Sequence, residues 1–208
     1  MTTLTKIFRG CHSKKLAKLA KILLDTHFKL SLQYVPSKTI LSFCEKIMNK
    51  QQIALYLTLD ALGIRKQVKT FPNRLAIQKG IYLAQEFGIN LGYFFRWYLH
   101  GPYSPSLSRD AYEVVDTIDE IKQEPRNYSL DSISLDKLTK LKQSIKSTDP
   151  KKIARELELL GSVRYLHTRF NMSDKSVAEV TKGLIHRGKS FTEKEVKLAT
   201  EKLSKLGL

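Results

Sequence analysis

The sequence contains little cysteine and none of the common cofactor motifs. Its two cysteines, Cys11 and Cys44, lie far apart without a CxxC or CxxH spacing, which argues against a disulfide framework and a zinc site. No stretch has the roughly 18 to 20 consecutive apolar residues that a membrane-spanning helix needs. P-loop, GxGxxG, HExxH and paired-carboxylate patterns are missing, so no nucleotide or metal cofactor is predicted. We therefore expect a protein of a reducing, cytoplasmic compartment.

What the chain has in excess is positive charge. Its 208 residues carry a formal net charge of +16. Residues 1–46 hold nine Lys/Arg and two Asp/Glu, a net +7, whereas residues 47–121 are nearly neutral at +1 and residues 122–208 reach +8. Because a large Lys/Arg excess most often neutralises phosphate, the two basic flanks favour a polyanionic partner, either nucleic acid or an acidic protein. Solubility, or the lysine-rich usage of a thermophile or an AT-rich genome, is the alternative explanation.

The first 46 residues are interpreted as a basic extension of a single domain that spans residues 47–208. A basic amphipathic helix is predicted over residues 13–29, because lysines and leucines fall on opposite faces. A phosphate-tracking arm, a membrane-surface helix and a targeting peptide compete as functions, and an ordinary docked helix is the favoured interpretation. The extension also agrees with an alternative start at Met48. Its candidate nucleic-acid contacts are Lys14, Lys15, Lys18 and Lys21.

Two helices are predicted next. The first, residues 38–62, stops at Gly63. The second begins with Asn73 as its N-cap and ends at Gly88. Gly80 lies in the middle of this helix, where glycine costs about 1 kcal/mol relative to alanine, so we expect the close approach of another backbone there.

An aromatic run follows and contains the only tryptophan, Trp97. Residues 93–99 have strand propensity and their side chains alternate between two faces, which predicts a short antiparallel β element packed on helices. Gly101-Pro102 is expected to form the turn after this strand. The fold class predicted from these elements is mainly α, in the α+β sense.

The next helix is predicted to begin at Ser104-Pro105, as a cap followed by a first-turn proline. Its inner, apolar positions recur at a 4-3-4-3 spacing and are Leu107, Ala111, Val114, Ile118 and Ile121. Its outer positions are acidic, which argues against contact with DNA. These outer positions are Asp110, Glu113, Asp116 and Glu120.

Polar side chains around the Gly-Pro turn suggest two kinds of chemistry. Arg96, His100 and Arg109 would suit a phosphate or a carboxylate, although an ion pair with an acid of the next helix, such as Asp110, is the simpler explanation. A hydrolase centred on His100 is the other hypothesis, with a neighbouring hydroxyl as its nucleophile. Ser104 is better explained as a helix cap, so we predict no catalytic residue.

The C-terminal part, residues 135–208, is predicted to be helical throughout. Asp149-Pro150 opens a long helix, and Ser173 is expected to cap the next one. The last helix begins with a capping box formed by Thr192 and Glu195.

The turn before the last predicted helix is basic and resembles the turn of helix-turn-helix proteins. Arg187 and Lys189 lie in it, where they either contact phosphates or belong to a solvated loop, and the solvated loop is preferred. No helix face repeats Arg, Asn or Gln in the way that base readout requires. Any nucleic-acid binding is therefore predicted to be largely sequence-non-specific.

The central motif resembles a known prokaryotic family. It is similar to the YwgA-type proteins of bacteria and archaea and, more distantly, to the Panacea antitoxin domain. The resemblance covers residues 70–121 by motif and residues 48–208 by general layout. The residues that carry it are Leu75, Gln78, Lys79, Tyr82, Leu83, Gly88, Gly92, Tyr93, Phe95, Tyr98, His100, Gly101, Pro102, Tyr103, Ser104, Pro105, Leu107 and Asp110.

The resemblance implies a mostly helical domain with a small β element, found near toxin–antitoxin, defence and mobile-element genes. It implies a protein that binds and neutralises a toxin, and it supplies no catalytic residues. We therefore predict a non-catalytic interaction module whose partner is a toxin, defence or mobile-element protein. The alternative is a nucleic-acid-binding protein that uses the basic flanks. The predicted partner-binding residues are Arg96, Trp97, His100, Tyr103 and Arg109.

Overall fold

The computed structural model describes residues 48–117, 128–145 and 147–208, which belong to one unit. These residues form seven helices and a two-stranded antiparallel sheet, so the predicted mainly α fold with a small β element is confirmed. Within these ranges no helix is both long and apolar enough to cross a membrane. In chain order the elements are α1 (Lys50–Leu62), α2 (Phe71–Glu86), β1 (Arg96–Tyr98), β2 (Gly101–Tyr103), α3 (Pro105–Thr117), α4 (Ser132–Ser144), α5 (Pro150–Arg169), α6 (Val177–His186) and α7 (Glu193–Leu206).

Helix α1 begins where side chains satisfy its first backbone amides. The Asn49 side chain accepts a hydrogen bond from the Gln52 N–H, and the Gln52 side chain accepts one from the Asn49 N–H. At the other end Gly63 adopts a left-handed conformation and its N–H donates to the Asp60 carbonyl. The predicted stop at Gly63 is confirmed. The predicted residues of this helix before Met48 lie outside the described part of the chain.

Helix α2 runs through the middle of the domain and packs mainly against α5. Its residues are buried without a break from Leu75 to Ala84, so it has no solvated face over nearly three turns. The helix begins at Phe71 after Thr70, and the prediction that Asn73 is its cap was wrong. Pro72 explains the earlier start, because a first-turn proline has the helical φ and lacks an N–H that would need a partner.

Gly80 lies where α2 meets the segment that follows α1. A Cβ at this position would lie 2.2 Å from Cδ1 of Ile64 and 3.5 Å from Cδ1 of Leu62. The close neighbours are therefore aliphatic side chains, and the expected close approach of a backbone was wrong. Glycine suits the position because Ile64 already occupies the space that a methyl group would take.

Strands β1 and β2 form a tight hairpin in which Arg96 pairs with Tyr103 and Trp97 pairs with Pro102. Leu99 and His100 form the turn, whereas Gly101-Pro102, predicted as the turn, belongs to β2. This correction follows from the short loop: two residues close the hairpin, so the next residue already pairs with Tyr98.

The first strand is also shorter than the predicted run of residues 93–99. The backbone groups of Tyr93 are hydrogen-bonded to a side chain instead: its N–H donates to Gln85 Oε1 and its carbonyl accepts from Gln85 Nε2, both at 2.8 Å. A backbone that is bonded to a helix side chain does not join the ladder of the sheet.

Helix α3 begins at Pro105 as predicted, and the Leu107 N–H donates to the hydroxyl of Ser104 at 3.4 Å. Leu107, Ala111 and Val114 are buried, in agreement with the apolar spacing. The predicted positions 118, 120 and 121 lie outside the described residues.

Asp110 is not an outer acidic residue, as the helix pattern predicted, but is buried. The Tyr93 hydroxyl donates to its Oδ2 at 2.9 Å. This hydrogen bond compensates the burial of the carboxylate and ties α3 to the segment before β1. Burial and the bond to Asp110 both raise the pKa of the Tyr93 hydroxyl above its ordinary value.

The C-terminal helices begin mostly as predicted. Asp149 accepts a hydrogen bond from the Lys151 N–H before α5, and Thr192 forms the predicted capping box with the glutamate three residues later before α7. Helix α6 begins after Ser176, so the predicted cap at Ser173 was wrong. Ser176 caps the helix because a glutamate follows three residues later and completes a capping box with it.

Candidate functional site

The central motif begins with a clamp between α2 and the residue after β2. Gln78 Nε2 donates to the Ser104 carbonyl and the Ser104 N–H donates to Gln78 Oε1, both at 2.9 Å. Both residues are buried. Because a buried backbone group without a partner costs about 1–3 kcal/mol, this one side chain holds the end of the hairpin on α2.

Lys79, the next residue of the motif, is buried beneath the hairpin with 1% of its surface exposed. Its Nζ donates to the Pro102 carbonyl of β2. Burial, followed by the nearby charge of Lys189, lowers the pKa of Lys79 to about 7, while the charge of Glu158 opposes this shift. The amine is therefore about half neutral near pH 7 and anchors β2 from inside the domain.

A second lysine anchors the turn of the hairpin. Lys189 Nζ donates to the Leu99 carbonyl at 2.7 Å and to Glu158 Oε1 at 2.6 Å. His100 Nδ1 lies 3.3 Å from the same carboxylate oxygen. The Lys189 side chain is 3% exposed, so neither the predicted solvated loop nor a surface contact with phosphate describes its position. A phosphate contact from Lys189 would first have to break a buried ion pair.

Small residues on α5 allow β2 to lie directly against that helix. A Cβ at Gly101 would lie 2.5 Å from Oγ of the buried Ser162, and a Cβ at Gly161 would lie 3.7 Å from Cγ of Pro102. Gly101 also has a φ of +79°, a backbone conformation that residues other than glycine rarely adopt. The Gly-Pro pair of the motif is thus required by this close contact and by the backbone conformation after the turn.

The other side of the hairpin faces solvent and forms what we call the hairpin face: Phe94, Arg96, Tyr98 and Tyr103. Phe94 is 70% exposed, Tyr98 is 60% exposed and Arg96 is exposed, whereas Tyr103 is half-buried. The Arg96 guanidinium lies 5.4 Å from the centre of the Phe94 ring, and the rings of Tyr98 and Tyr103 lie 5.6 Å apart. Aromatic and cationic groups therefore form adjacent pairs across this surface.

Trp97 lies on the inner side of the hairpin, away from the hairpin face. It is half-buried, and its ring lies 5.6 Å from that of Tyr165 and 6.3 Å from that of Phe170. Lys189 Nζ lies 5.9 Å from the centre of the Trp97 ring. The structure thus brings together Arg96 and Tyr103 of the predicted partner-binding residues and separates Trp97 from them.

The two remaining predicted partner-binding residues are both exposed. His100 is exposed at the turn, and its ring meets that of Phe71 edge-on at 4.8 Å between centres. Arg109 extends from α3 with its side chain 72% exposed, and its Nε lies 4.0 Å from Asp110 Oδ1. The arginine thus has the predicted acidic neighbour and remains accessible to a partner.

Of the predicted nucleic-acid contacts, Arg187 and Lys189 lie in the described part of the chain, and neither side chain is fully exposed. Arg187 is half-buried, donates to the Gly183 carbonyl at 2.9 Å and lies 4.2 Å above the Phe170 ring. The predicted N-terminal contacts lie outside the described residues and are Lys14, Lys15, Lys18 and Lys21.

The groups that reach the surface at the hairpin suit binding. Ser104, the serine hydroxyl close to His100 in sequence, is fully buried and caps α3. In the described ranges no set of three or more His, Cys, Asp or Glu side chains is arranged to hold a metal ion. The arrangement offers exposed aromatic rings and guanidinium groups on a rigid hairpin, which can stack on and pair with a partner.

Sequence reasoning missed the buried polar groups that hold the hairpin. Glu158 gave no signal, because its partners His100 and Lys189 are 58 and 31 residues away in sequence. The Gly161-Ser162 pair did give one: two small residues interrupt the apolar pattern of α5 at the place where β2 crosses it.

Comparison with known proteins returned no match: no family model, no curated protein and no solved structure matches this chain. The resemblance of the motif to the YwgA-type and Panacea families therefore stays a prediction. Function has to be inferred from the geometry of the hairpin and its supports.

Proposed function

We propose that this chain is a non-catalytic interaction module that binds a protein partner through the hairpin face. The observation that carries the proposal is the exposure of Phe94, Arg96 and Tyr98 side by side on one surface. Aromatic residues and arginine are enriched at protein interfaces, and tyrosine and arginine are frequent among the residues that dominate binding energy.

The rigidity of the hairpin supports the same function. Three buried side chains, Gln78, Lys79 and Lys189, bond to backbone carbonyls in or next to the hairpin, at Ser104, at Pro102 and at Leu99 respectively. A surface that is fixed before binding loses less conformational entropy when the partner arrives. A two-stranded hairpin alone would be only marginally stable, and these three bonds fix it in one conformation for binding.

The charge of the surface indicates the chemistry of the partner. Arg96 is exposed beside the Phe94 ring, Arg109 is exposed on α3, and His100 is exposed at the turn of the hairpin. The complementary partner surface is apolar with acidic groups at its rim. A toxin or a defence or mobile-element protein is the partner class that the family resemblance implies.

Site-specific photo-crosslinking tests the proposal. Benzoylphenylalanine is placed at Tyr98 or, as a control, at Leu198, a 51% exposed residue of α7, and the tagged chain is irradiated in its native cells. We expect a discrete protein adduct from position 98 that position 198 does not give. The purified partner should then bind the Tyr98→Ala variant at least about fivefold more weakly than the wild type, and Leu198→Ala should bind normally. Equal adducts at both positions, or unchanged affinity for Tyr98→Ala, would refute the proposal.

The basic flanks support a second candidate function, largely sequence-non-specific binding of nucleic acid. The net +8 of residues 122–208 and +7 of residues 1–46 are the observations that favour it. Anisotropy titrations of single- and double-stranded DNA and RNA at two salt concentrations test this function. Steeply salt-dependent binding that Tyr98→Ala does not change would assign it to the flanks, and absence of binding at low salt would exclude it.

A further inference from the structure

A second surface feature lies between α1, α2, α4 and the start of α5 and shares no residue with the hairpin face. It is a cavity of about 650 Å³. This volume falls within the roughly 300–1,000 Å³ of small-molecule sites in proteins. The aliphatic part of its lining consists of Leu62, Ile64, Ala76, Ile145 and Ile153.

The polar part of the lining has one sign of charge. Arg65 and Lys142 both line the cavity, and none of its fourteen lining residues is acidic. The Lys142 side chain extends to the end of α1, where its Cε would lie 3.0 Å from a Cβ at Gly63. A ligand with a negative group would therefore meet two cations and no opposing carboxylate in the lining.

Asn73 adds a buried hydrogen-bonding group to the cavity. It is 6% exposed and lines the cavity from the first turn of α2. Its Nδ2 makes one long hydrogen bond, 3.4 Å to Gln67 Oε1, which leaves further capacity on the amide. Asn73 was predicted to cap the helix, and in the structure it instead lines this cavity.

We propose that this cavity binds a small amphipathic carboxylate. The aliphatic chain of the ligand lies against Leu62, Ile64 and Ile153, and its carboxylate pairs with Arg65 and Lys142. Burial of the ligand's aliphatic tail supplies most of the affinity, and the two cations favour an anionic head group over a neutral or cationic one. The proposal stands independently of the hairpin face and of its partner.

Calorimetric titration of the full chain with octanoate, octanol and octylammonium tests the selectivity, because the three probes share one tail. We expect octanoate to bind most tightly and octylammonium most weakly. Lys142→Glu should weaken octanoate binding about fivefold or more. Lys140→Glu, on the same helix but outside the lining, is the matched control and should bind octanoate as the wild type does.

A blocking variant tests the location. Thr139 is an exposed lining residue of α4, so Thr139→Trp should fill the cavity without disturbing the core, and unchanged helicity and melting temperature would verify its fold. We expect this variant to lose octanoate binding. Absence of octanoate binding to the wild type, equal affinity for all three probes, equal weakening by the Lys140 and Lys142 variants, or full binding to folded Thr139→Trp would each overturn the proposal.

Discussion

Raising the pH from about 7 to about 9 is expected to stabilise the fold, because of the buried amine of Lys79. Its pKa is about 7 in the folded chain, against 10.5 for an exposed lysine. Between these two values the unfolded chain binds more protons than the folded chain, so the free energy of unfolding rises with pH. With about 1.4 kcal/mol per pKa unit, the gain between pH 7 and pH 9 is on the order of 2 kcal/mol.

Two buried tyrosines set the upper end of this window. The pKa values of Tyr82 and Tyr93 are raised above 10, chiefly by burial. Their folded hydroxyls keep protons that the unfolded chain loses, so their contribution to stability falls as the pH rises above about 10. The effect of Lys79 is therefore measured below this pH.

Urea unfolding at pH 7, 8 and 9, followed by circular dichroism, measures the effect. The variant Lys79→Met keeps the length of the side chain and removes the titrating amine, so its free energy of unfolding should lack the rise of about 2 kcal/mol. Lys140→Met, at a residue whose side chain is 59% exposed, should retain the rise. A Lys79→Met variant that rises as steeply as the wild type, or a wild type that loses stability over this range, would show that the reasoning about Lys79 is wrong.

Two further substitutions, each paired with a comparison variant, test the supports of the hairpin by chemical unfolding. At Gly101 φ is +79° and an added Cβ would lie 2.5 Å from Ser162 Oγ, whereas at Gly188 φ is +75° and an added Cβ would have no atom within 4 Å. Gly101→Ala should therefore cost about 3 kcal/mol and Gly188→Ala about 1 kcal/mol. Equal losses of stability would contradict the steric argument. Gln78→Ala removes the buried clamp on Ser104 together with a bond to the Ser108 hydroxyl and should cost about 2 kcal/mol or more. Gln85→Ala removes two bonds to the Tyr93 backbone at a half-buried position and should cost less. A larger loss for Gln85→Ala would contradict the role of burial.

Sequence patterns predicted those element ends whose chemistry is local. Gly63 and the box at Thr192 act through residues within one turn, and both predictions are confirmed. The starts assigned to Asn73 and Ser173 were wrong because a nearby proline, in the first case, and a nearby capping box, in the second, set the start of the helix instead. Local signals are sufficient where one residue dominates and fail where two compete.

The candidate site was only partly predictable, for a different physical reason. The predicted alternation along the strand is present, with Arg96 exposed and Trp97 half-buried. The burial of Lys79, Asp110 and Lys189 runs against the ordinary preference of charged residues for the surface. Each of these three side chains has a hydrogen-bond partner, distant in sequence, that compensates the cost of its burial. The partner of Lys79 is the Pro102 carbonyl, and the partners of the other two lie at comparable distances along the sequence. Helical periodicity contains no information about such partners.

Because the two sides of the hairpin differ in burial, mutations can separate its contribution to stability from its contribution to partner binding. Substitutions on the inner side, at Lys79 or Gly101, remove supports and should lower stability and partner affinity together. Substitutions of exposed residues of the hairpin face, such as Tyr98, remove no buried contact and should lower affinity while the free energy of unfolding stays within about 0.5 kcal/mol. If Tyr98→Ala instead destabilised the fold as much as Gly101→Ala, the exposed rings would be part of the structure of the hairpin, and the binding surface would have to be sought elsewhere on the domain.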